Sequence, residues 1–305
     1  MSEIRNIILC GMGAIGAIYA DKLQHADCDF RVLVDRERYI KYRKTPVKYN
    51  NKPLSVKYLL PDETNYKADL ILIATKMSGL SQVLDEIKNF VSDNTVILSL
   101  INGVESEQII AQRYGREKVL YAYFIGHSSV RTNNSITHDG VNTIVFGSDN
   151  KEDCHITETV KNFFDKTKIN YTIPKDIKYS LWLKFMLNVC ANPLTAMFRM
   201  TFGEFNANKS VIRLATNIMK EVQTIAKAEG INNTENMIDD TLQNIRSMSP
   251  EGKTSMLQDV EAGRTTEIDI FAGAVVKFGE KHNIPTPYCK FLKEAFDVIH
   301  EQQIA

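Results

Sequence analysis

The sequence Ile7-Ile-Leu-Cys-Gly11-Met-Gly-Ala-Ile-Gly16 decides the fold of the first half of the chain. Its first four residues form an apolar run typical of a buried strand, and three glycines spaced G-x-G-x-x-G follow directly. Residues 17–25 continue as a helical pattern, and residues 30–34 form the next predicted strand, which ends in Asp35. Strand, glycine turn, helix, strand and acidic residue in this order predict a dinucleotide-binding unit.

Each glycine of this loop has a predicted role. Gly11 allows the tight turn, Gly13 lets the backbone approach a pyrophosphate, and Gly16 allows close packing of helix and strand. Asp35 lies 19 positions beyond Gly16 and suits the ribose hydroxyls of NAD(H). The predicted cofactor-binding residues of this segment are Gly11, Met12, Gly13, Ala14, Ile15, Gly16, Asp35 and Arg36.

Further strands and helices alternate up to residue 174. Strand-like runs cover residues 68–74, 95–101, 120–124, 143–146 and 168–173, helical patterns cover 79–91 and 105–114, and residues 46–60 resemble a hairpin or an edge excursion. This alternation predicts an α/β fold with a mostly parallel, Rossmann-type sheet. Lys76 and Asn102 follow two of the strands, and ligands of such sheets bind at the carboxyl ends of strands.

From residue 175 to 305 the strand patterns disappear, so we expect a second, all-helical domain. Polar breaks near residues 206–208, 230–233 and 249–252 separate its helices. Residues 266–283 predict one long helix, and Pro285 and Pro287 separate it from a last helix near residues 288–302.

Three polar residues of the second domain are spaced by four: Lys184, Asn188 and Asn192. On a helix this spacing places them in one nearly straight stripe, while the residues around them are mostly apolar. Burying an unpaired lysine is costly, so Lys184 is either satisfied structurally or takes part in chemistry.

The composition excludes several classes of protein. The 37 basic and 37 acidic residues cancel, which argues against nucleic acid or an anionic membrane as partner. The five cysteines are scattered singly and the six histidines do not cluster, so we expect reduced thiols and no metal site. We find neither a signal peptide nor an apolar run near the roughly 20 residues of a membrane span, and expect a cytoplasmic protein.

Taken together, these pieces resemble the ketopantoate reductase family over nearly the whole chain. The resemblance rests on Gly11-Met-Gly13-Ala-Ile-Gly16, Thr75-Lys76, Asn102-Gly103, Lys184-x3-Asn188-x3-Asn192-Pro-Leu-Thr-Ala, Ser255-Met-Leu-Gln-Asp259 and Thr266-Glu267-Ile-Asp269. It implies an NAD(P)-dependent oxidoreductase that reduces 2-dehydropantoate to pantoate, a step toward pantothenate and coenzyme A. The substrate would be a small 2-oxo acid.

The resemblance also implies residue roles. Lys184 would be the general acid that protonates the new hydroxyl, and Glu267 its acidic partner. Asn188, Asn192, Ser255 and Asn102 would bind the substrate. Lys76 would face the nicotinamide, as would Asn102, from the strand ends.

Each of these residues has a structural alternative. Ser255 could cap the helix that follows it, and Glu267 could be a solvated helix charge. Asn192 precedes a proline and could end its helix. Lys76 could be a surface residue, and His127, in a predicted loop, could approach the site or be structural.

Three questions stay open at this point. The family habit is NADP(H), whereas Asp35 favours NAD(H), and Arg36 with Arg38 could instead clamp a 2′-phosphate. The substrate could be another small branched 2-oxo acid, or the chain could be a nucleotide-sensing protein that has lost catalysis; the presence of both Lys184 and Glu267 argues against the latter. A homodimer is possible, because the second domain has large apolar helices.

Overall fold

A computed structural model describes residues 3–126, 130–132, 134–138, 140–150 and 154–304 of the 305-residue chain. It divides into two compact units, Met1–Ile177 and Lys178–Ala305.

The first unit is built on an eight-stranded sheet with the order β12-β11-β8-β7-β6-β1-β2-β5. A smaller sheet has the order β4-β3-β10-β9. The strands are β1 Asn6–Cys10, β2 Asp29–Leu33, β3 Lys48–Tyr49, β4 Lys52–Pro53, β5 Lys57–Leu59, β6 Leu70–Ile73, β7 Val96–Ser99, β8 Val119–Gly126, β9 Val130–Thr132, β10 Ser135–Thr137, β11 Asn142–Gly147 and β12 Tyr171–Thr172. Among the described strands of the large sheet only the β8–β11 pair is antiparallel, so the predicted mostly parallel sheet is confirmed.

Helices cover both faces of the large sheet. They are α1 Ala14–Leu23, α2 Arg36–Lys44, α3 Leu80–Glu86, α4 Ser106–Tyr114 and α5 Cys154–Thr167. Strand β1 shows why its sequence is continuously apolar: Ile7 and Leu9 belong to one buried cluster and Ile8 and Cys10 to the other. Side chains alternate across a strand, and a strand covered on both faces has no polar side.

The excursion predicted at residues 46–60 is confirmed as a hairpin. Strands β3 and β4 pair antiparallel, and Asn50 and Asn51 between them have φ of 47° and 66°. Asparagine tolerates this left-handed region better than most residues. Strand β5 then returns to the large sheet beside β2, where Leu59 pairs with Leu33.

The second unit is helical, and its described residues contain no strand. Its helices are α6 Ile177–Phe198, α7 Phe202–Ala207, α8 Lys209–Ala228, α9 Met237–Ser247, α10 Ser255–Glu261, α11 Ala272–His282 and α12 Pro287–Ile304. Among the described residues, no helix is both long enough and apolar enough to cross a bilayer.

The single helix predicted for residues 266–283 is wrong. Helix α11 begins only at Ala272, after a short 3-10 turn at Ile268–Ile270. The backbone amide of Thr266 donates a hydrogen bond to His300 Nε2 over 3.1 Å, and Ile268 and Phe271 are fully buried. Tertiary contacts therefore fix an irregular segment where the local pattern favours a helix.

Candidate functional site

The first group of predicted site residues lies at one edge of the large sheet. Strands β2, β1, β6 and β7 are adjacent and parallel, with Leu33, Cys10, Ile73 and Ser99 aligned in register. Their carboxyl ends therefore meet at the same edge. Asp35, the glycine loop, Lys76 and Asn102 follow these four strands, so the structure brings this group of predicted residues together.

The three glycines of the loop differ in what their surroundings require. Gly11 has φ of 100°, and a Cβ there would lie 2.7 Å from the carbonyl oxygen of Ala74. A Cβ on Gly16 would overlap the carbonyl oxygen of Gly11, so the close packing it allows is against the loop itself. A Cβ on Gly13 would meet no atom within 4 Å. Two of the glycines are thus required by the fold, whereas Gly13 leaves open space beside the loop.

Helix α1 begins beside that open space. Its N-cap is Gly13, no side chain caps it, and its first turn carries no acidic residue. The first amides of a helix have no partner within the helix, and together with the helix dipole they favour an anion. Thr75 Oγ1, which follows β6, is buried and has no hydrogen-bond partner among the residues described. Open space, free amides and an unsatisfied hydroxyl fit a bound dinucleotide.

Charged side chains at the end of β2 are already paired. Asp35 is the N-cap of α2: it accepts a hydrogen bond from the Arg38 amide over 2.6 Å and pairs with the Arg38 guanidinium at 2.9 Å. Arg36 pairs with Asp62 at 2.6 Å. The predicted cofactor residues Asp35 and Arg36 are therefore both engaged, each with a different partner.

Lys76 and Asn102 follow neighbouring strands and differ in exposure. Lys76 is exposed and precedes a 3-10 turn at Met77–Gly79. Asn102 is half-buried and precedes Gly103, which has φ of 103°. Their contact with a nicotinamide stays a prediction.

A buried acid close in sequence to Asn102 was not anticipated. Glu107, in the first turn of α4, is 2% exposed and accepts hydrogen bonds from the Ser106 hydroxyl over 2.9 Å and the Ala122 amide over 3.4 Å. Burial raises the pKa of Glu107 to about 7, although these hydrogen bonds oppose the shift. Helix α4 packs against β8, which donates the Ala122 amide to Glu107, and the local sequence does not show this packing.

The second group of predicted residues lies on α6. Asn188 and Asn192 are 9% and 4% exposed, and the Asn192 amide donates to Asn188 Oδ1 over 3.3 Å. Lys184, one turn earlier, is half-buried. The predicted polar stripe on an apolar helix is confirmed as a geometric feature, and we name Lys184, Asn188 and Asn192 the α6 stripe.

Two structural alternatives for this region are wrong. Asn192 does not end its helix, because α6 continues through Pro193 to Phe198. Ser255 does not cap α10, because the N-cap is Thr254, whose hydroxyl accepts from the Leu257 amide over 3.2 Å.

Thr254 also ties α10 to the helix of the stripe. Its hydroxyl lies 2.7 Å from the hydroxyl of Thr195, which donates to the carbonyl of Ala191. Ser255 is exposed at the first position of α10. The structure therefore anchors the N-terminus of α10 to α6 one residue before Ser255.

Glu267 lies immediately before the 3-10 turn at Ile268–Ile270 and is half-buried. It is not on a regular α-helix, so it is not a helix surface charge. Its pairing with Lys184 stays a prediction. His127 lies outside the described residues.

Comparison with protein families covers most of the chain. Residues 7–151 match the family described as ketopantoate reductase PanE/ApbA, and residues 176–300 match its C-terminal part. The chain belongs to the ketopantoate reductase family. It is accordingly an NAD(P)-dependent oxidoreductase that acts on a keto group.

Individual relatives are distant but cover the full length. A 2-dehydropantoate 2-reductase of Streptococcus pyogenes serotype M6 is 26% identical over 297 residues, which is 94% of this chain and 95% of the relative. A D-mandelate dehydrogenase solved with NADH and anilino(oxo)acetate superposes with a TM-score of 0.86 at 21% identity, covering 98% and 99% of the two chains. A dimeric ketopantoate reductase from Staphylococcus aureus gives a TM-score of 0.76 at 19% identity, covering 97% and 99%.

In this member of the ketopantoate reductase family, the structure shows further candidate functional residues that the sequence did not indicate. Thr75 belongs to the Thr75-Lys76 motif, but the residues beside it in the sequence do not indicate its buried hydroxyl, which has no hydrogen-bond partner among the described residues. Asp62 lies 26 positions from Arg36, and only the pairing of β5 with β2 brings them together. Thr254, which precedes Ser255, was not among the predicted residues, although threonine is a good N-cap residue.

Proposed function

We propose that this chain is a 2-dehydropantoate 2-reductase. It transfers hydride from NAD(P)H to the keto carbon of 2-dehydropantoate and yields pantoate, a step in the formation of pantothenate and coenzyme A. The observation that carries the proposal is the α6 stripe: two buried carboxamides hydrogen-bonded to each other, one and two turns after a half-buried lysine. Such groups suit a small anionic substrate that carries hydroxyl and keto oxygens.

The first unit supplies the cofactor site in this proposal. The amides at the start of α1 would hold the pyrophosphate of the cofactor beside Gly13, in the space that an added Cβ would occupy. Lys76 and Asn102 extend the site along the same sheet edge. The cofactor, when bound, supplies the hydride.

The second unit supplies the proton and the substrate contacts. Reduction of a keto carbon turns its oxygen into an alkoxide, which needs positive charge and then a proton. Lys184 donates that proton from Nζ, becomes neutral, and is reprotonated from solvent. Glu267 positions the ammonium or the substrate hydroxyl, and Asn188, Asn192 and Ser255 hold the carboxylate and hydroxyl of the substrate.

The alternative keeps the fold and changes the substrate to another small branched 2-oxo acid. Motifs do not define the shape of a substrate pocket, and the similarity to a D-mandelate dehydrogenase shows that this fold accommodates a related chemistry. A homodimer is also part of the proposal, supported by the dimeric relative.

A steady-state assay tests the proposal. We expect oxidation of NADH or NADPH with 2-dehydropantoate, at a kcat/KM higher than with 2-oxo acids that lack its branched hydroxyl-bearing end. A higher kcat/KM for one of the other acids would select the alternative substrate. No turnover with any 2-oxo acid, together with intact cofactor binding, would leave only a nucleotide-binding protein.

A further inference from the structure

Four of the charged side chains that follow β2 and β5 pair with one another: Asp35, Arg36, Arg38 and Asp62. They form two ion pairs, Arg38 with Asp35 at 2.9 Å and Arg36 with Asp62 at 2.6 Å. Two positive and two negative charges give no net charge. A 2′-phosphate arriving at this edge would thus meet guanidinium groups that already have carboxylate partners.

The sheet places Asp62 in this position. Strand β5 is the edge neighbour of β2, with Leu59 opposite Leu33, and the chain reaches Asp62 three residues after β5 ends. Arg36 begins α2 just beyond the end of β2. Because the two strands are parallel, both segments leave the sheet at the same edge and meet there.

The pair between Arg36 and Asp62 has little structural value. The two side chains are 76% and 61% exposed, and pairs this exposed typically contribute between 0 and about 1 kcal/mol. Removing Asp62 should therefore leave the fold intact. The same exposure leaves both side chains accessible to a ligand that binds at this edge.

A phosphate competes with Asp62 in two ways. Its oxygens need the same fork of guanidinium donors that the carboxylate uses. Its negative charge is also repelled by Asp62, and added salt weakens this repulsion. The ribose hydroxyls of NADH carry no charge and escape this repulsion.

We infer that Asp62 is a specificity-determining residue that occupies Arg36 and so lowers the preference for NADPH relative to NADH. The inference rests on the proposed function only in placing the adenosine end of the cofactor at this sheet edge. It concerns a residue 26 positions from Arg36, at a site separate from the proposed proton donor.

The test compares Asp62→Asn with a matched control, Asp85→Asn. Asp85 also pairs with an arginine, Arg113, at 2.7 Å, with side-chain exposures of 65% and 54%. Asp62 and Asp85 line the same open pocket of about 750 Å³, but Arg113 lies on α4. Both variants therefore remove one negative charge from one region, and only Asp62→Asn releases Arg36.

Binding of NADH and of NADPH is measured by calorimetry, so that the result does not depend on a substrate, and kcat/KM is measured beside it. We expect Asp62→Asn to shift the Kd ratio toward NADPH by roughly three- to tenfold, the worth of one partly screened charge contact. The shift should shrink in high salt. Asp85→Asn should change the ratio less than about twofold.

A double variant separates release of Arg36 from a general change in charge. Arg36→Gln in the Asp62→Asn background should abolish the gain. An unchanged ratio in Asp62→Asn, an equal shift in Asp85→Asn, or a gain that survives Arg36→Gln would each overturn the inference. If both cofactors bind but no 2-oxo acid is reduced, the proposed function fails while the binding ratio still tests Asp62.

Discussion

The sheet edge where β2, β1, β6 and β7 end in the first unit and the α6 stripe of the second unit hold polar groups in opposite ways. At the edge, charges such as Arg36 and Asp62 are exposed and paired, and the groups that we propose to bind the cofactor are backbone amides beside Gly13. In the stripe, Asn188 and Asn192 are buried, uncharged and bonded to each other. The first arrangement presents donors to a charged ligand, and the second holds donors in a surrounding that excludes water.

This difference has an energetic consequence. Exposed ion pairs contribute little to stability, so residues at the edge can change with small cost to the fold. A buried polar group that loses its partner costs about 1–3 kcal/mol, so in the stripe ligand binding and stability are coupled. We therefore expect variants of the exposed Arg36–Asp62 pair to change binding alone and variants in the stripe to change both.

The largest effect is expected at Lys184. If it is the proton donor, Lys184→Met lowers kcat by on the order of 10²- to 10⁴-fold, as for other general acids. Cofactor binding should survive, because the glycine loop belongs to the other unit. Measurements of kcat, cofactor Kd and melting temperature on one preparation check this.

Lys178→Met is the matched control for that experiment. Lys178 is on the same helix and is also half-buried, but it lies six residues earlier and off the stripe. We expect a kcat close to that of the parent protein. A stable and fully active Lys184→Met would refute the mechanism, and a loss of melting temperature with an intact rate per folded molecule would make Lys184 structural.

Glu107 is the exception in the first unit, because it is a buried acid near the exposed edge. The pKa of Glu107 in the folded protein, about 7, lies above its ordinary value of 4.5. Between pH 4.5 and pH 7 the folded protein therefore keeps a proton on Glu107 that the unfolded chain has already released. Stability should therefore fall by about 3 kcal/mol as the pH rises from 4.5 to 7, and level off above 7.

Glu107→Gln tests this directly, since glutamine keeps the shape and cannot ionise. The variant should match the parent near pH 4.5 and unfold at a higher temperature than the parent at pH 8. Thermal unfolding followed from pH 4.5 to 8.5 measures the difference. Parallel curves for the two proteins would show that Glu107 does not titrate in this range.

Two glycines of the loop allow an effect on binding to be compared with an effect on stability within a single segment. Gly13→Val places a side chain in open space, so the protein should fold normally and bind both cofactors at least about tenfold more weakly, a change of about 1.4 kcal/mol. Gly16→Ala forces a Cβ into the Gly11 carbonyl, so its main effect should be on stability, roughly 1–3 kcal/mol. Calorimetry and thermal unfolding separate the two, and a Gly13→Val protein with unchanged affinity would remove the cofactor from this loop.

The sequence predicts the features that depend on local residue patterns and misses those that depend on buried contacts. The glycine loop and the α6 stripe were predicted, because a steric motif and a four-residue period are local properties. The α6 helix through Pro193 and the break before α11 were not, because buried contacts outweigh the local preference there.

Pairs that depend on sheet order were out of reach. Asp62 meets Arg36 because β5 is the neighbour of β2, and Glu107 is buried where α4 packs against the sheet beside β8. Local patterns in the sequence predict where the strands lie along the chain but not which strands are neighbours in the sheet. The Thr195–Thr254 contact joins residues 59 positions apart and is missed for the same reason.

The smallest effect is expected at Asp35, where the edge itself becomes coupled to stability. Asp35 caps α2 through the Arg38 amide, and asparagine caps a helix as well as aspartate does. Asp35→Asn thus removes the charge and keeps the cap, whereas Asp35→Ala removes both and should cost about 1 kcal/mol of stability.

If the carboxylate faces the ribose, both variants should weaken NADH and improve NADPH by roughly two- to fivefold, the worth of one exposed charge contact. If Arg36 grips a 2′-phosphate instead, Arg36→Ala should reduce NADPH binding most. Kd values for both cofactors in all three variants decide between these readings, and equal effects throughout would mean that neither side chain reaches the nucleotide.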